Sequence, residues 1–466
     1  MSIGEKWKRS GRLPLMERDL MAKKRTPRTG GADALLGKIK SRKSCSGVIG
    51  LGYVGLPLSL ALVEAGLNVV GFDISESKVK LLNSGKSDID DVSDRVVREA
   101  VKSGRFKATV DPAELSNMDT ISICVPTPLS KTKDPDVSFI LAAMEWVKKY
   151  IRKGTLVVLE STTYPGTTED LILPLLEESG GQVGTDFFLA FSPERVDPGN
   201  QTYTTENTPR VVGGVTSECS RVAKFFYEQT IPNVYAVSST KAAEMVKLLE
   251  NTFRSVNIGL VNEVALMCHR LGINVWEIID AAATKPFGFM PFYPGPGLGG
   301  HCIPIDPHYL SWKLKSLNYY ARFIEMAGDV NSQMPEWVVE RITAMMNQRF
   351  AKAINKSTML LLGIAYKRDI KDIRESPALD VIKLLEDNGA KVYYNDPYVP
   401  QFKWKGGTFR SSKLTAQLLK KVDLVVVVTD HSNYDYQWIV DNARAVFDTR
   451  NATKAVGRGR NKVELL

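Results

Sequence analysis

The chain has 466 residues, 24% of them charged, and a formal net charge of +9. This length predicts two or three domains, each large enough to bury a core, and no apolar run approaches the ~20 residues that span a bilayer. The five cysteines are scattered without a Cys-x-x-Cys pair. This argues against a structural zinc site or a disulfide framework and predicts a cytoplasmic protein.

The excess positive charge lies at the start of the chain, where residues 1–43 hold thirteen Lys or Arg and four Asp or Glu. A polar, basic segment of this kind predicts a disordered tail. Such a tail can touch an anionic surface or RNA nonspecifically. The alternatives are a solvated extension or a translation start at Met16 or Met21. The rest of the chain is neutral, which predicts no specific nucleic-acid site.

A glycine-rich turn follows the first predicted strand. Residues 45–49 are predicted to form a buried strand, GLGYVG at residues 50–55 matches GxGxxG, and an apolar helix and a second strand ending at Asp73 follow. In a dinucleotide-binding unit the glycines allow the tight turn and the approach of the pyrophosphate, while the acid binds the ribose and repels a 2′-phosphate. The pattern predicts NAD as cofactor, with contacts from Gly50, Gly52, Tyr53, Val54, Gly55 and Asp73.

Predicted strands and helices alternate from about Cys45 to Val237, as parallel βαβ units require. Three of these strands end in small polar residues, at 126–128, 161–166 and 192–195. Ligands bind outside the carboxyl ends of strands in such sheets. The three loops are therefore expected to form the rim of one pocket.

From Ser239 to Ala283 the pattern predicts one continuous helix. Lys247 and Asn251 are four residues apart and so share one face of it. A lysine on a helix is usually solvated, but this one shortly precedes a loop that carries a cysteine. A helix of this length between two sheets also suits a dimer interface.

That loop, residues 294–307 (PGPGLGGHCIPIDP), places Cys302 among glycines and prolines. Glycine lets a ligand approach the backbone closely and proline stiffens the loop, whereas a structural cysteine is usually buried among apolar residues. Asp306, four residues later, can orient a water or a base near the sulfur. The segment predicts a nucleophilic cysteine; the alternative is a turn that merely contains one.

A second α/β block begins near Pro335, with strands predicted at 358–362, 391–394, 422–428 and 445–448. It lacks GxGxxG. Lys367, Arg374 and Arg450 stand beside strand ends instead, a set suited to a second anionic ligand.

Taken together, these motifs resemble the UDP-glucose/GDP-mannose dehydrogenase family over residues 45–452. The segments that carry the resemblance are GLGYVGLP at Gly50, CVPTP at Cys124, EST at Glu160, SPER at Ser192, EMVKLLENTFR at Glu244, GGHCIPIDP at Gly299 and GIAYKRDIKDIRESP at Gly363. The resemblance implies an α/β fold. After the tail at 1–43, an N-terminal Rossmann NAD domain (44–237) and a C-terminal Rossmann-like UDP-binding domain (332–466) are joined by a long helical dimerisation segment with the cysteine loop (238–331).

The resemblance also assigns residue roles. It makes Cys302 the nucleophile and implies, as its catalytic helpers, Lys247 and Asn251 as an oxyanion and substrate clamp, Asp306 in water activation, and Glu194 and Thr162 as supporting groups. Further cofactor contacts are expected from Lys78, Pro126, Thr127 and Ser161. Substrate contacts are expected from Arg195, Lys247, Asn251, Lys285, Gly299, Lys367, Arg374 and Arg450, and no metal is expected. Many family members carry an acid four residues after the Ser-Pro-Glu glutamate, where this chain has Pro198.

The activity implied is NAD-dependent oxidation of the C6 hydroxyl of a UDP-sugar to a uronic acid, through a cysteine thiohemiacetal and thioester, for surface polysaccharide synthesis. A homodimer or higher homo-oligomer is implied as well. Residues 285–294 and the loop after them are similar to the branch that oxidises UDP-N-acetylhexosamines. In that loop Leu298 and Ile305 replace the phenylalanine and lysine more often found in UDP-glucose members. The expected order of preference is UDP-N-acetylglucosamine, then UDP-N-acetylmannosamine, then UDP-glucose.

Two other classes of protein remain open from the sequence. A single-step hydroxyacid dehydrogenase shares a Rossmann domain and a helical lysine, but needs neither a reactive cysteine nor a second α/β domain, and it yields one NADH per substrate. A non-catalytic protein that senses NAD or tethers RNA would use only the glycine-rich turn and the basic tail. It would turn over no nucleotide sugar.

Overall fold

The computed structural model describes residues 30–89, 91–130, 134–195, 202–300 and 302–466. Over these ranges the chain forms two mainly parallel sheets flanked by helices, with two long helices between them. The predicted α/β fold with two Rossmann-like units is confirmed. None of the helices in these ranges is long and apolar enough to cross a membrane.

Eight strands form the first sheet. They are β1 (Cys45–Ile49), β2 (Asn68–Phe72), β3 (Phe106–Thr109), β4 (Thr120–Ile123), β5 (Thr155–Leu159), β6 (Phe187–Phe191), β7 (Arg210–Gly214) and β8 (Val234–Ala236). Their spatial order is β3-β2-β1-β4-β5-β6-β7-β8. The order reverses between β1 and β4, and in dinucleotide-binding sheets the ligand crevice opens at that point. β7 runs antiparallel to β6, a departure from the parallel pattern.

The helices around this sheet cover both of its faces. They are α1 (Gly30–Lys40), α2 (Gly55–Glu64), α3 (Glu76–Asn83), α4 (Asp94–Lys102), α5 (Ser138–Tyr150), α6 (Leu173–Glu177) and α7 (Ser217–Tyr227), with a 3₁₀ turn at Pro112–Asn117 and a π-helix at Thr167–Ile172. β5 and β6 are buried at every position. Strands covered on both faces are continuous apolar runs for this reason.

The helix α1 lies inside the segment for which composition predicts disorder up to residue 43. Its residues Ala32, Leu35 and Ile39 are 5%, 3% and 0% exposed, and they share a core with Phe226 and Tyr227 of α7. They are three to four residues apart, so they occupy one face of the helix. This apolar spacing outweighs the basic composition, and the prediction of disorder is wrong for residues 30–40; residues 1–29 lie outside the described ranges.

Replacing Ile39 with alanine is expected to lower the free energy of unfolding by about 2–4 kcal/mol, because a fully buried side chain leaves a cavity. Urea unfolding measures this, and kcat per folded molecule should not change. The exposed Lys40 supplies the control, since Lys40→Ala should change stability by less than about 0.5 kcal/mol. Equal stability of the two variants would contradict the packing of α1.

Four helices make up the central region: α8 (Thr240–Leu271), α9 (Val275–Ala283), α10 (Asp306–Lys315) and α11 (Arg322–Phe350). The single helix predicted up to residue 283 is in fact two. Gly272 ends α8 in the left-handed conformation with φ 69°, and the Asn274 side chain then caps α9. Conversely, α11 runs through Pro335 and through the domain boundary predicted at residue 331. The buried Met334, Val338 and Ile342 continue its apolar face.

The second sheet has five parallel strands in the order β10-β9-β13-β14-β15. The strands of this unit are β9 (Thr358–Leu362), β10 (Lys391–Asn395), β13 (Leu424–Val427), β14 (Val446–Asp448) and β15 (Val463–Leu465), with a separate hairpin of β11 (Gln401–Trp404) and β12 (Gly407–Arg410). Its helices are α12 (Pro377–Asp387), α13 (Ala416–Lys421) and α14 (Tyr436–Asn442). The loops after β9 and β14 carry the predicted cations Lys367, Arg374 and Arg450.

Candidate active site

The turn between β1 and α2 has the geometry of a dinucleotide cradle. Gly50 has φ 90°, and a Cβ there would lie 2.8 Å from the Cys124 carbonyl oxygen. A Cβ at Gly55 would lie 1.9 Å from the carbonyl oxygen of Gly50, whereas one at Gly52 would meet nothing within 4 Å. The outer two glycines are therefore required by packing. The middle one faces open space at the start of α2, where a pyrophosphate can approach.

Two charged residues surround this turn. Asp73, directly after β2, accepts hydrogen bonds from the backbone N–H groups of Leu51 (3.1 Å) and Ser75 (2.9 Å). The Lys78 ammonium donates to the Leu51 carbonyl oxygen at 3.2 Å and pairs with Asp88 at 3.0 Å. Both residues predicted for the cofactor thus lie at the turn, and the open space together with the carboxylate at the end of β2 fits NAD.

Changing Asp73 is expected to weaken NAD binding and to narrow the preference for NAD over NADP, because the ribose loses its acceptor and the 2′-phosphate its repelling charge. Asp73→Ala tests both effects. Asp73→Asn keeps an acceptor for the Leu51 N–H, so it isolates the effect of charge. The measurement is the ratio of dissociation constants for the two cofactors, and an unchanged ratio in both variants would rule out this role.

The three predicted rim loops follow the adjacent strands β4, β5 and β6. The Ser161 hydroxyl donates to the Val125 carbonyl oxygen at 2.7 Å, which joins the first two loops. The buried Tyr309 of α10 donates its hydroxyl to the Thr127 carbonyl oxygen. The helix α10, which follows the cysteine loop, therefore packs against the cofactor side of the pocket.

A buried polar cluster lies between α8, α10 and the third rim loop. Lys247 and Asn251, 8% and 6% exposed, meet there as their spacing predicts. The Lys247 ammonium donates to the Glu194 carbonyl oxygen at 2.6 Å, and the Asn251 amide donates to the Asp306 carboxylate. The Asp306 N–H donates to the Cys302 carbonyl oxygen at 2.8 Å. This bond places the exposed Cys302 one turn before the buried acid.

The protonation of Asp306 is set by its surroundings. Burial raises the pKa of its carboxyl group to about 6, against the positive charge of Lys247 and the hydrogen bond from Asn251, which both lower it. A carboxyl group with a pKa near 6 is mostly ionised at neutral pH and can still accept and return a proton. Groups with such values suit general acid–base chemistry.

The Glu194 carboxylate belongs to a network that the sequence analysis missed. It pairs at 3.0 Å with Arg210, a buried cation that also binds the Glu160 carboxylate and lies 4.4 Å from the centre of the Tyr227 ring. Glu160 directly follows β5, and Arg210 is the first residue of β7. The sequence indicated this network only by an acidic residue directly after one apolar strand and a basic residue at the start of another.

Arg195, predicted for the substrate, joins the third rim loop to α8. Its guanidinium pairs with Glu250 at 2.6 Å and donates to the Pro209 carbonyl oxygen at 2.8 Å. Its contact with substrate remains a prediction, whereas its structural contacts are with α8 and the segment before β7.

The cysteine loop is covered by the C-terminal unit. The Gly300 N–H donates to the Arg374 carbonyl oxygen at 3.1 Å, and the Arg374 guanidinium lies 4.9 Å from the centre of the Tyr53 ring. A Cβ at Gly295 would lie 2.4 Å from the Arg450 guanidinium, and one at Gly299 would lie 2.5 Å from the side chain of Tyr366. The dinucleotide turn, the cysteine loop and the second sheet therefore converge.

The other predicted site residues have less specific surroundings. Thr162, Val54 and Lys367 are half-buried and Pro126 is exposed. Lys285 is exposed, with its ammonium 4.9 Å from the centre of the Phe287 ring. Pro198 lies outside the described residues.

Three family models match this chain. They describe the UDP-glucose/GDP-mannose dehydrogenase family: its NAD binding domain matches residues 45–231, its central domain 241–333 and its UDP binding domain 360–455. Together they span most of the chain.

Individual proteins and structures agree with this match. A UDP-N-acetyl-D-mannosamine dehydrogenase from Pyrococcus horikoshii is 36% identical over 388 residues, which cover 83% of this chain and 89% of that protein. A UDP-N-acetyl-D-glucosamine 6-dehydrogenase from Pseudomonas aeruginosa is 36% identical over 357 residues, 76% of this chain and 82% of that protein. A solved structure of a UDP-D-ManNAc dehydrogenase from Pyrococcus horikoshii has a TM-score of 0.80 at 34% identity, covering 88% of this chain and 96% of that one. This chain therefore belongs to the UDP-glucose/GDP-mannose dehydrogenase family and is an NAD-dependent UDP-sugar dehydrogenase.

Proposed function

We propose that this protein oxidises the C6 hydroxyl of a UDP-N-acetylhexosamine to the carboxylate in two steps that share one cysteine, supplying a precursor of surface polysaccharide. The observation that carries the proposal is the position of the exposed Cys302 one turn before the buried Asp306, whose carboxylate is held by Asn251 and lies in the field of Lys247. A single-step dehydrogenase would not require this arrangement.

The chemistry follows from these groups. NAD held at the Gly50–Gly55 turn and beside Asp73 would supply the hydride acceptor for both oxidations at C6, and the hydroxyl proton would pass to water in each. The Cys302 thiolate adds to the C6 aldehyde, forming a C–S bond and an alkoxide that is protonated to the thiohemiacetal. After the second oxidation the product is a thioester. A water then gives a proton to Asp306 and attacks the thioester carbon, and the C–S bond breaks to release the thiolate and the carboxylic acid, which loses its proton to water.

Lys247 and Asn251 are proposed to stabilise the oxyanions that form at C6. The lysine uses one of its three N–H groups on the Glu194 carbonyl oxygen, which leaves donors for a ligand. A donor aimed at a developing oxyanion typically contributes 10²–10³ in rate. Three cations of the second unit are proposed to hold the substrate diphosphate or its nucleoside: Lys367, Arg374 and Arg450. Further substrate contacts are proposed from outside that unit, by Arg195, Lys285 and Gly299.

The substrate proposal rests on the loop around Cys302 and on the names of the relatives. Both relatives described above are named for UDP-N-acetylhexosamines, one for each C2 epimer. The loop sequence favours a UDP-N-acetylhexosamine; we propose UDP-N-acetylglucosamine first, with UDP-N-acetylmannosamine as the principal alternative and UDP-glucose as the next.

We also propose a homodimer that forms through α8. Leu249, Phe253 and Leu260 of this helix are 58%, 46% and 54% exposed. Their spacing of four and seven residues puts them on one face. A contiguous exposed apolar face of this kind favours protein association.

The experiment that tests the function is NADH release with UDP-N-acetylglucosamine, UDP-N-acetylmannosamine, UDP-glucose and GDP-mannose, with products identified by mass. Two NADH per UDP-N-acetylhexosamine and a uronic acid product are expected. One NADH per sugar would indicate a single-step dehydrogenase. The absence of turnover with all four sugars would favour a non-catalytic NAD-binding protein.

A further inference from the structure

Glu244 is a buried acid to which the mechanism above gives no role. It lies on α8 three residues before Lys247 and is 0% exposed. One carboxylate oxygen accepts the Gly166 N–H at 2.6 Å, and the other accepts the Thr168 N–H at 2.9 Å and the Thr168 hydroxyl at 2.7 Å. Among the described residues no lysine or arginine forms an ion pair with it. Three donors from one short segment thus hold a buried carboxylate in place.

Those donors lie at the junction between the second rim loop and the π-helix. The first N–H groups of a helix have no partner inside it, and here a side chain from another helix accepts two of them. Gly166 has φ 103°, and a Cβ there would lie 2.6 Å from the Asp170 carboxylate, so the junction is tightly restricted. π-Helical turns are rare and frequently occur at functional sites.

The same loop is attached to α10 on its other side. The centres of the Tyr164 and Trp312 rings are 4.9 Å apart, and the Lys313 ammonium is 5.1 Å from the centre of the Tyr164 ring. Ser161, at the start of the loop, contacts the first rim loop through Val125. The loop therefore connects the cofactor side of the pocket with both helices that carry the catalytic cluster, and Glu244 is a buried polar link between its end and α8.

We propose that Glu244 is a positioning residue that fixes the 161–166 loop, and with it the cofactor side of the pocket, to the helix that presents Lys247 and Asn251. A glutamine cannot accept all three hydrogen bonds, because only one of its two terminal atoms is an acceptor. Its amide nitrogen is a donor and would face a backbone N–H group or the Thr168 hydroxyl. Burial raises the pKa of Glu244 to about 7 even though all three donors lower it. Burying an ionised carboxylate is unfavourable for folding, and the three hydrogen bonds from the loop and the π-helix offset that desolvation.

The test is Glu244→Gln, with NAD affinity measured by calorimetry in the absence of sugar. We expect the NAD dissociation constant to rise about tenfold and kcat to fall about tenfold, while affinity for the UDP-sugar alone stays within twofold. Thr168→Val removes one of the three donors and should raise the NAD dissociation constant by about threefold. Glu340→Gln changes an exposed glutamate of α11 and should leave all values unchanged.

A purely structural role would lower the melting temperature but leave NAD affinity and kcat per folded molecule at wild-type values, and that result would overturn the proposal. If Glu244→Gln does not fold, Thr168→Val decides, because wild-type NAD affinity in this variant also overturns it. The expected change in kcat rests on the proposed function, whereas the expected change in NAD affinity does not. A wild-type protein without activity on UDP-sugars would refute the proposed function, and the NAD titration would still test the role of Glu244.

Discussion

Replacing Cys302 with alanine is expected to reduce conversion of the UDP-sugar to its uronic acid by on the order of 10³-fold or more. Without the sulfur no thioester forms, whereas the first oxidation does not use the sulfur. The variant should therefore fold, bind NAD and release some aldehyde. The stoichiometry of two NADH per sugar must fail. Removing an exposed thiol leaves little cavity, so stability should not change.

The measurement is NADH released per UDP-sugar consumed, with the product identified by mass. Cys45→Ala supplies the control, since it removes a half-buried cysteine of β1 and should keep full stoichiometry. In the wild type, bound UDP-sugar should slow alkylation of Cys302. A Cys302→Ala protein that still made uronic acid with two NADH at near the wild-type rate would refute the covalent mechanism.

Replacing Lys247 with methionine is expected to lower kcat by about 10²–10³-fold, because an oxyanion donor is lost. A second effect follows from charge. The Lys247 ammonium lowers the pKa of Asp306, which lies at about 6 in the native protein. Its removal raises that pKa, so more alkaline solution is needed to ionise the acid. The rise of activity with pH should move from about pH 6 to higher pH.

The pH profile separates this effect from general damage to the fold. Lys383→Met, a change at an exposed lysine of α12, should leave both rate and profile unchanged. Asp306→Asn should remove the limb near pH 6 altogether. A slow Lys247→Met enzyme with an unshifted profile would show that Asp306 is not the titrating group.

Much of the fold could be predicted from short-range patterns. The predicted bounds of β1 and β9 agree with the structure, because a buried strand is a continuous apolar run with turn residues at its ends. The dinucleotide turn and the pairing of Lys247 with Asn251 on one helix face are also local. Glycine spacing and helical periodicity suffice to predict them. α1 could have been predicted in the same way from its apolar spacing, but the prediction of disorder considered only the basic composition of the segment.

Other features depend on the tertiary structure because they join residues distant in sequence. Asn251 and Asp306 are 55 residues apart, and their contact depends on how α8 crosses α10. Glu160 and Arg210 meet across 50 residues, and that requires β7 to lie beside β6 in the opposite direction. Sequence alone determined which segments form strands, helices and glycine turns, since neighbouring residues govern backbone conformation. Only packing decided which buried charges face one another, because desolvation and long-range geometry select those pairs after the elements have formed.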